Sequence, residues 1–208
     1  VSNGPRGAWD QANLTRQQDK IVAAITALGA DVVALEEIEA STAVSGGGTD
    51  RDAALNSLVA ALNAEAGSAV WSAVPSPAAV PTDEDVIRTA FIYKNATTET
   101  VGNSTILLGS AAFDNAREPL AQAFKATGAP DANQFLAIVN HFKSKGSGTG
   151  ADADMNDGQG ASNASRVAQA TALVDFANAM SATAGTDKVF LMGDFNAYTM
   201  EDPMNVLF

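Results

Sequence analysis

The 208-residue sequence contains no cysteine and only one histidine. The first absence excludes disulfides, thiolate metal sites and cysteine nucleophiles. The second excludes calcineurin-type phosphatase chemistry, which needs several histidine ligands. Basic residues are scarce too: 12 lysines and arginines face 24 aspartates and glutamates, a formal net charge of -12. A protein that holds nucleic acid passively carries a basic footprint, and this one has none. An acidic enzyme can still act on phosphates where bound cations supply the positive charge. No apolar run approaches the roughly 18 to 20 residues of a membrane span. The longest runs, at 31–35 and 189–192, have strand length, so no membrane insertion is expected. The opening Val1-Ser2-Asn3-Gly4-Pro5-Arg6 lacks the basic-then-apolar pattern of a signal peptide, as a mature or trimmed chain would.

With 46% hydrophobic residues, the chain can fill the core of a single domain over residues 1–208. Leu14, Ile21, Val22, Ile25 and Leu28 share one helical face, and Gly29 caps that helix. The β-branched run Asp31–Leu35 reads as a buried strand. Thr49-Asp50-Arg51-Asp52 has the form of a capping box opening a helix with Leu55, Leu58, Val59 and Leu62, which stops at Gly67. Strands are expected at 71–74, 86–94, 100–107, 119–125 and 135–140. A third helix covers about 165–180 with Val167, Leu173, Val174 and Ala177 inward, and a last strand covers 188–192. Helix-then-strand units at both ends, with consecutive strands between them, predict a layered α/β or α+β sandwich rather than a doubly wound sheet.

Two strands run into acidic clusters, Glu36-Glu37-Ile38-Glu39 and Gly193-Asp194-Phe195-Asn196. Carboxylates at the carboxyl ends of neighbouring strands point into the crevice where α/β proteins bind ligands, and such hard oxygens suit Mg²⁺, Mn²⁺ or Ca²⁺. His141 follows a strand and precedes Phe142-Lys143-Ser144-Lys145. A histidine there could protonate a leaving oxygen and Lys143 and Lys145 could meet a phosphate, or the ring is structural and the lysines are solvated. Arg117 either clamps a phosphate or pairs with Glu118. Gly146–Gly150 lacks the spacing of a dinucleotide fingerprint. Asp152–Gly158 misses the glycine and glutamate positions of a calcium loop.

Taken in order, the segments 31–39, 85–93, 113–120, 140–146 and 193–198 resemble the endonuclease/exonuclease/phosphatase superfamily. The likeness is nearest to its secreted bacterial branch, the ExeM- and NucH-like extracellular nucleases. The resemblance implies an α+β fold of two packed mixed β-sheets flanked by helices. It also implies a secreted, Mg²⁺-dependent phosphodiesterase (Mn²⁺ or Ca²⁺ being alternatives) that cleaves DNA or RNA by in-line attack of a metal-activated water. A phospholipid head group or sugar phosphate is the alternative substrate, and a non-catalytic module keeping the fold is the other alternative. No protein partner is expected. In the roles so implied, Glu37 ligates the metal, His141 is general acid or phosphate ligand, and Asp85 orients His141. Asp194 and Asn196 hold the attacking water and phosphoryl oxygens, and Arg117, Lys143 and Lys145 contact substrate. The superfamily's first strand, with an asparagine beside the metal, and its closing Asp-His motif have no match. The chain is therefore expected to be incomplete at both ends and weakly active or inactive alone.

Overall fold

Apolar residues at every second position build the centre of this protein, and the computed structural model, which describes residues 7–208, shows two sheets stacked through them. The three-stranded sheet has the order β1 (Val32–Glu39), β3 (Ile87–Lys94), β2 (Trp71–Ala73), with antiparallel neighbours. The four-stranded sheet has the order β4 (Thr98–Ile106), β5 (Arg117–Ala126), β6 (Phe135–His141), β7 (Val189–Asp194). Its first pairs are antiparallel, and β6 and β7 are parallel, joined over the outer face by the crossover helix α3 (Asn163–Ala184). Helices α1 (Gln11–Leu28) and α2 (Ala53–Ala66) cover the smaller sheet, and a short α4 (Asp202–Leu207) packs beside α3. The result is the expected α+β sandwich, a helix layer outside each sheet.

Successive strand residues face opposite sides. Between the sheets lie Val32 and Ala34 of β1, Phe91 of β3, Leu120 and Phe124 of β5, Ala137 and Val139 of β6 and Met192 of β7. Phe91 meets Phe124 edge to face at 5.6 Å, a packing preferred by aromatic quadrupoles. The other faces pack on helices: Val33, Ala90 and Ile92 against Val22, Ile25, Leu55 and Leu62, and Leu136 and Ile138 against Ala170, Leu173 and Phe176.

Helix ends follow local chemistry. Asp10 accepts from the Asn13 amide at 2.7 Å to start α1, and Gly29 ends it at φ 65, a left-handed turn that a Cβ disfavours. The capping box at 49–52 does not form. Asp52 stands at the start of α2 with no capping bond, because its carboxylate is bound by the Ser76 hydroxyl at 2.6 Å and by Arg88 at 2.7 Å. Tertiary partners outcompete the cap. On α1 only Val22 and Ile25 are buried, while Leu14, Ile21 and Leu28 stay exposed.

The inward face of α3 also differs from the apolar pattern. Arg166 and Gln169 are fully buried on it, whereas Val167 and Val174 are half-buried. Arg166 donates to the carbonyls of Ala161 at 2.8 Å and Gln159 at 2.9 Å, tying down the loop after β6. Replacing it with leucine strands those buried acceptors. Arg166→Leu is expected to lower the unfolding free energy by about 3 kcal/mol or more, measured as a fall in the urea midpoint at constant slope.

Candidate active site

At one end of the sandwich the inward positions stop being apolar. Continuing each alternation by two residues leads from Ala34 to Glu36, from Phe91 back to Thr89, from Val139 to His141 and from Met192 to Asp194. Register fixes the neighbours: Arg117 pairs with His141 across β5 and β6, and His141 pairs with Asp194 across β6 and β7. β1 lies over β6 and β7, which brings its glutamates above this row. One correction to the sequence reading follows. The two acidic clusters do not end neighbouring strands of one sheet; they sit in opposite sheets and face each other. Glu36 and Glu37 also lie within β1 rather than after it, where the pairing with β3 shifts between Leu35 and Ile38. Two residues there oppose one, the signature of a bulge, which re-aims side chains.

His141 is buried, and its Nε2 stands 3.7 Å from Asp194 Oδ2. Its Nδ1 has no protein partner. Asn196 donates from Nδ2 to Asp194 Oδ2 at 3.0 Å and to the Phe142 carbonyl at 3.0 Å, and its amide meets Asp194 Oδ1 at 2.8 Å. His141, Asp194 and Asn196 thus form one connected group. Arg117 binds Asp85 at 3.0 Å, so its acidic partner in the protein is Asp85 rather than Glu118. Asp85 is committed to this arginine and to the Val86 amide at 2.7 Å, not to the His141 ring as the resemblance implied. Lys143 lines the neighbouring cleft, its amide held by Gln169 Oε1 at 2.8 Å. Lys145 is drawn away, paired with Glu201 and standing over the Tyr198 ring.

The backbone here is shaped for close approach. Glu37 and Asn196 have φ of 59 and 46, left-handed values that cost a non-glycine residue energy and cluster at functional sites. Gly193 has φ 123, and a Cβ there would come within 2.1 Å of the Asn140 carbonyl oxygen. Only glycine lets β7 run against β6 at this point. Glu36 Oε1 also lies 3.0 Å from that position, so Glu36, which the motif reading passed over for Glu37, is the glutamate that reaches the end of β7 at Gly193. Its signal was available in the period-2 alternation. Glu37 lines a separate recess of about 150 Å³ with Glu39, Val44 and Val86. Beyond Arg117 opens a cleft of about 950 Å³, walled by Asp83, Asp85, Asp114, Asn115 and Lys143 among others.

Burial holds the carboxyl of Glu36 above the usual range, and the Asp194 charge adds to the effect. His141 is pushed the other way: burial first, then Arg117, lower its pKa below the ordinary 6.5 against the opposing pull of Asp194, Glu37 and Asp85. Its ring is therefore neutral at pH 7. The unfolded chain protonates this histidine near 6.5 and the folded chain only at lower pH, so the unfolded state binds more protons in between. Stability present above pH 6.5 is lost as pH falls through 6.5 towards the depressed value. Glu36 acts oppositely, its protonated form favouring the fold below about 4.5 and losing that effect as pH rises through its raised pKa. The His141→Asn variant should show a shallower decline in urea midpoint between pH 7 and 5 than the parent. Equal slopes would contradict the depressed histidine.

Hard carboxylate oxygens crowd this end, yet among the described residues no three His, Cys, Asp or Glu side chains group closely enough to enclose a metal ion. One or two carboxylates, with water and a substrate phosphate completing the shell, is how Mg²⁺ is usually held. The raised Glu36, pressed by the charge of Asp194, is what a nearby cation would relieve. Of the two glutamates on the β1 bulge, Glu36 is the one placed against Gly193 where such an ion would be shared, while Glu37 lines the recess beside it.

A sequence model described as "Endonuclease/Exonuclease/phosphatase family" matches residues 10–207. No curated protein matches. Among solved structures, a functionally unknown conserved protein of Enterococcus faecalis V583 aligns with TM-score 0.58 at 15% identity, over 99% of this chain and 69% of that one. TDP2 of D. rerio, complexed with a single-strand DNA product, aligns at 0.53 and 15% identity, over 95% and 60%. The mannosyl-6-phosphatase Bt3783 of Bacteroides thetaiotaomicron VPI-5482 aligns at 0.53 and 14%, over 98% and 67%. At such identities the likeness is one of fold. No helix among the described residues is long and apolar enough to cross a membrane.

Proposed function

The chain belongs to the endonuclease/exonuclease/phosphatase family, and from that premise we propose that it hydrolyses phosphodiester bonds of DNA or RNA with the help of a divalent cation, as a secreted nuclease. Hydrolysis of a phosphate ester is the chemistry that this family's name spans. The observation that carries the finer reading is the row of inward positions that turns from apolar to Glu36, His141 and Asp194 at one end of the sandwich, with Arg117 in register beside it.

In hydrolysis a water oxygen bonds to phosphorus, the bond to the leaving oxygen breaks, and that oxygen gains a proton. Arg117, oriented by Asp85, presents a forked guanidinium to the phosphoryl oxygens, a geometry suited to bidentate contact. Asp194 accepts a hydrogen bond from the attacking water, and Asn196 holds that carboxylate through its amide and Nδ2. His141 Nε2 faces the same space. Neutral at pH 7 in the free site, the ring takes up a proton when an incoming phosphate raises its pKa. As imidazolium it gives that proton to the leaving oxygen, while the proton shed by the attacking water leaves through Asp194 to solvent. Glu37 and Glu36 would hold the cation, which when bound neutralises phosphoryl charge and acidifies water.

The protein carrying this chain, incubated with plasmid DNA or RNA and Mg²⁺, is expected to cleave it, and a chelator is expected to stop cleavage. Hydrolysis of sugar phosphates alone would support the small-ester reading, for which the acidic wall of the 950 Å³ cleft speaks, since it repels a polyanion. Activity in the culture medium rather than in cells tests secretion.

A further inference from the structure

Two residues beyond Asn196 the chain exposes an aromatic ring. Tyr198 is 78% exposed and Met200, on the same turn, 83%. The turn is closed by the Glu201 amide donating to the Tyr198 carbonyl at 2.9 Å. The ring is not loose. Lys145 Nζ stands 4.2 Å from its centroid, and that ammonium is anchored by the buried carboxylate of Glu201. Behind it, the Lys145 stem packs at 3.2 Å against where a Cβ on Gly160 would be. A fixed cation thus stands over the ring, most of which is open to solvent. Two residues of chain span at most about 7 Å, so the Tyr198 backbone lies within that distance of the Asn196 backbone.

We infer that Tyr198 is a stacking platform for an unpaired nucleobase of single-stranded nucleic acid, carried on the segment that follows Asn196. The inference rests on the function proposed above and names its substrate form. A base in a duplex has its faces already occupied, so only an unstacked base can use the ring. The acidic composition makes such a contact matter. With 24 acidic and 12 basic residues the chain does not gather a polyanion by charge. Stacking, indifferent to net charge, supplies attraction to any base. Because Lys145 is engaged by Glu201, its part is to fix the ring.

The test is equilibrium binding by fluorescence anisotropy, with chelator present so that no cleavage occurs. The probes are a labelled oligothymidylate and an equally long abasic deoxyribose-phosphate oligomer. Tyr198→Ala is expected to weaken oligothymidylate binding about 5- to 100-fold, Tyr198→Phe to leave it unchanged, and the abasic oligomer to bind the parent and both variants alike. Unchanged binding by Tyr198→Ala, or a parent that binds the two oligomers equally or not at all, would overturn the platform. The proposed hydrolysis is read separately by plasmid cleavage. If cleavage is absent while the alanine variant still loses oligothymidylate, the platform stands and the nuclease reading falls. If cleavage is present while binding is unmoved, the reverse holds.

Discussion

Replacing His141 with alanine is expected to lower kcat/KM on a phosphodiester substrate about 10³-fold in the protein that carries this chain. A positioned acid or hydrogen-bond donor contributes roughly 10² to 10⁴ to such a reaction, and this ring sits at a register point between Arg117 and Asp194. The loss should be the same at low and high Mg²⁺, because the ring does not hold the cation. A substrate with a good leaving group, such as a nitrophenyl ester, should lose far less, since its leaving oxygen needs no proton. Stopped assays with both substrates separate these cases. An equal loss on both would assign the ring to phosphate contact, and no loss on either would make it a structural histidine.

The second large effect is expected at β1. Glu37→Gln should lower activity about 10²-fold at limiting Mg²⁺ and recover most of it in excess, because it removes one charged oxygen from the cation's shell and leaves the protein donors for phosphate in place. Glu36→Gln belongs in the same titration. Glu36 reaches the Gly193 backbone, whereas Glu37 lines the recess beside Val44 and Val86, so the two glutamates are placed differently about the bulge. If only Glu36→Gln is rescued by Mg²⁺, the cation is held by Glu36 and the role given to Glu37 is wrong. Rescue of neither would separate both from metal binding.

The comparison between the two variants rests on geometry that strand order creates. β1 contributes its bulge from one sheet, while β6 and β7 contribute His141 and Asp194 from the other. Loss at either side should therefore leave the other side folded, as Phe91, Phe124 and Val139 fill the space between the sheets several residues away. Thermal midpoints of His141→Ala and Glu37→Gln close to that of the parent would bear this out.

By itself the sequence determined the elements, because those signals are local. Gly29, Gly67 and Gly185 each end a helix in a left-handed turn, and β-branched and aromatic runs mark strands near where they form. It also held Asp194 and Asn196 together, since they share one short motif whose bonds are local, while His141 joins them only through the register of β6 on β7. What only the tertiary structure decided was partnership at a distance. Arg117 pairs not with the adjacent Glu118 but with Asp85, which lies 32 positions earlier. Asp52 gave up a helix cap for Arg88 and Ser76. Arg166 and Gln169 went inward although polar, because buried loop carbonyls and amides need donors and acceptors more than that face needs methyl groups. The opposition of Glu36 and Asp194 arose from stacking two sheets, whose order no spacing along the chain encodes. Short-range steric and capping preferences are written in neighbouring residues. Charge pairing and sheet stacking are settled only when distant segments compete for the same buried space.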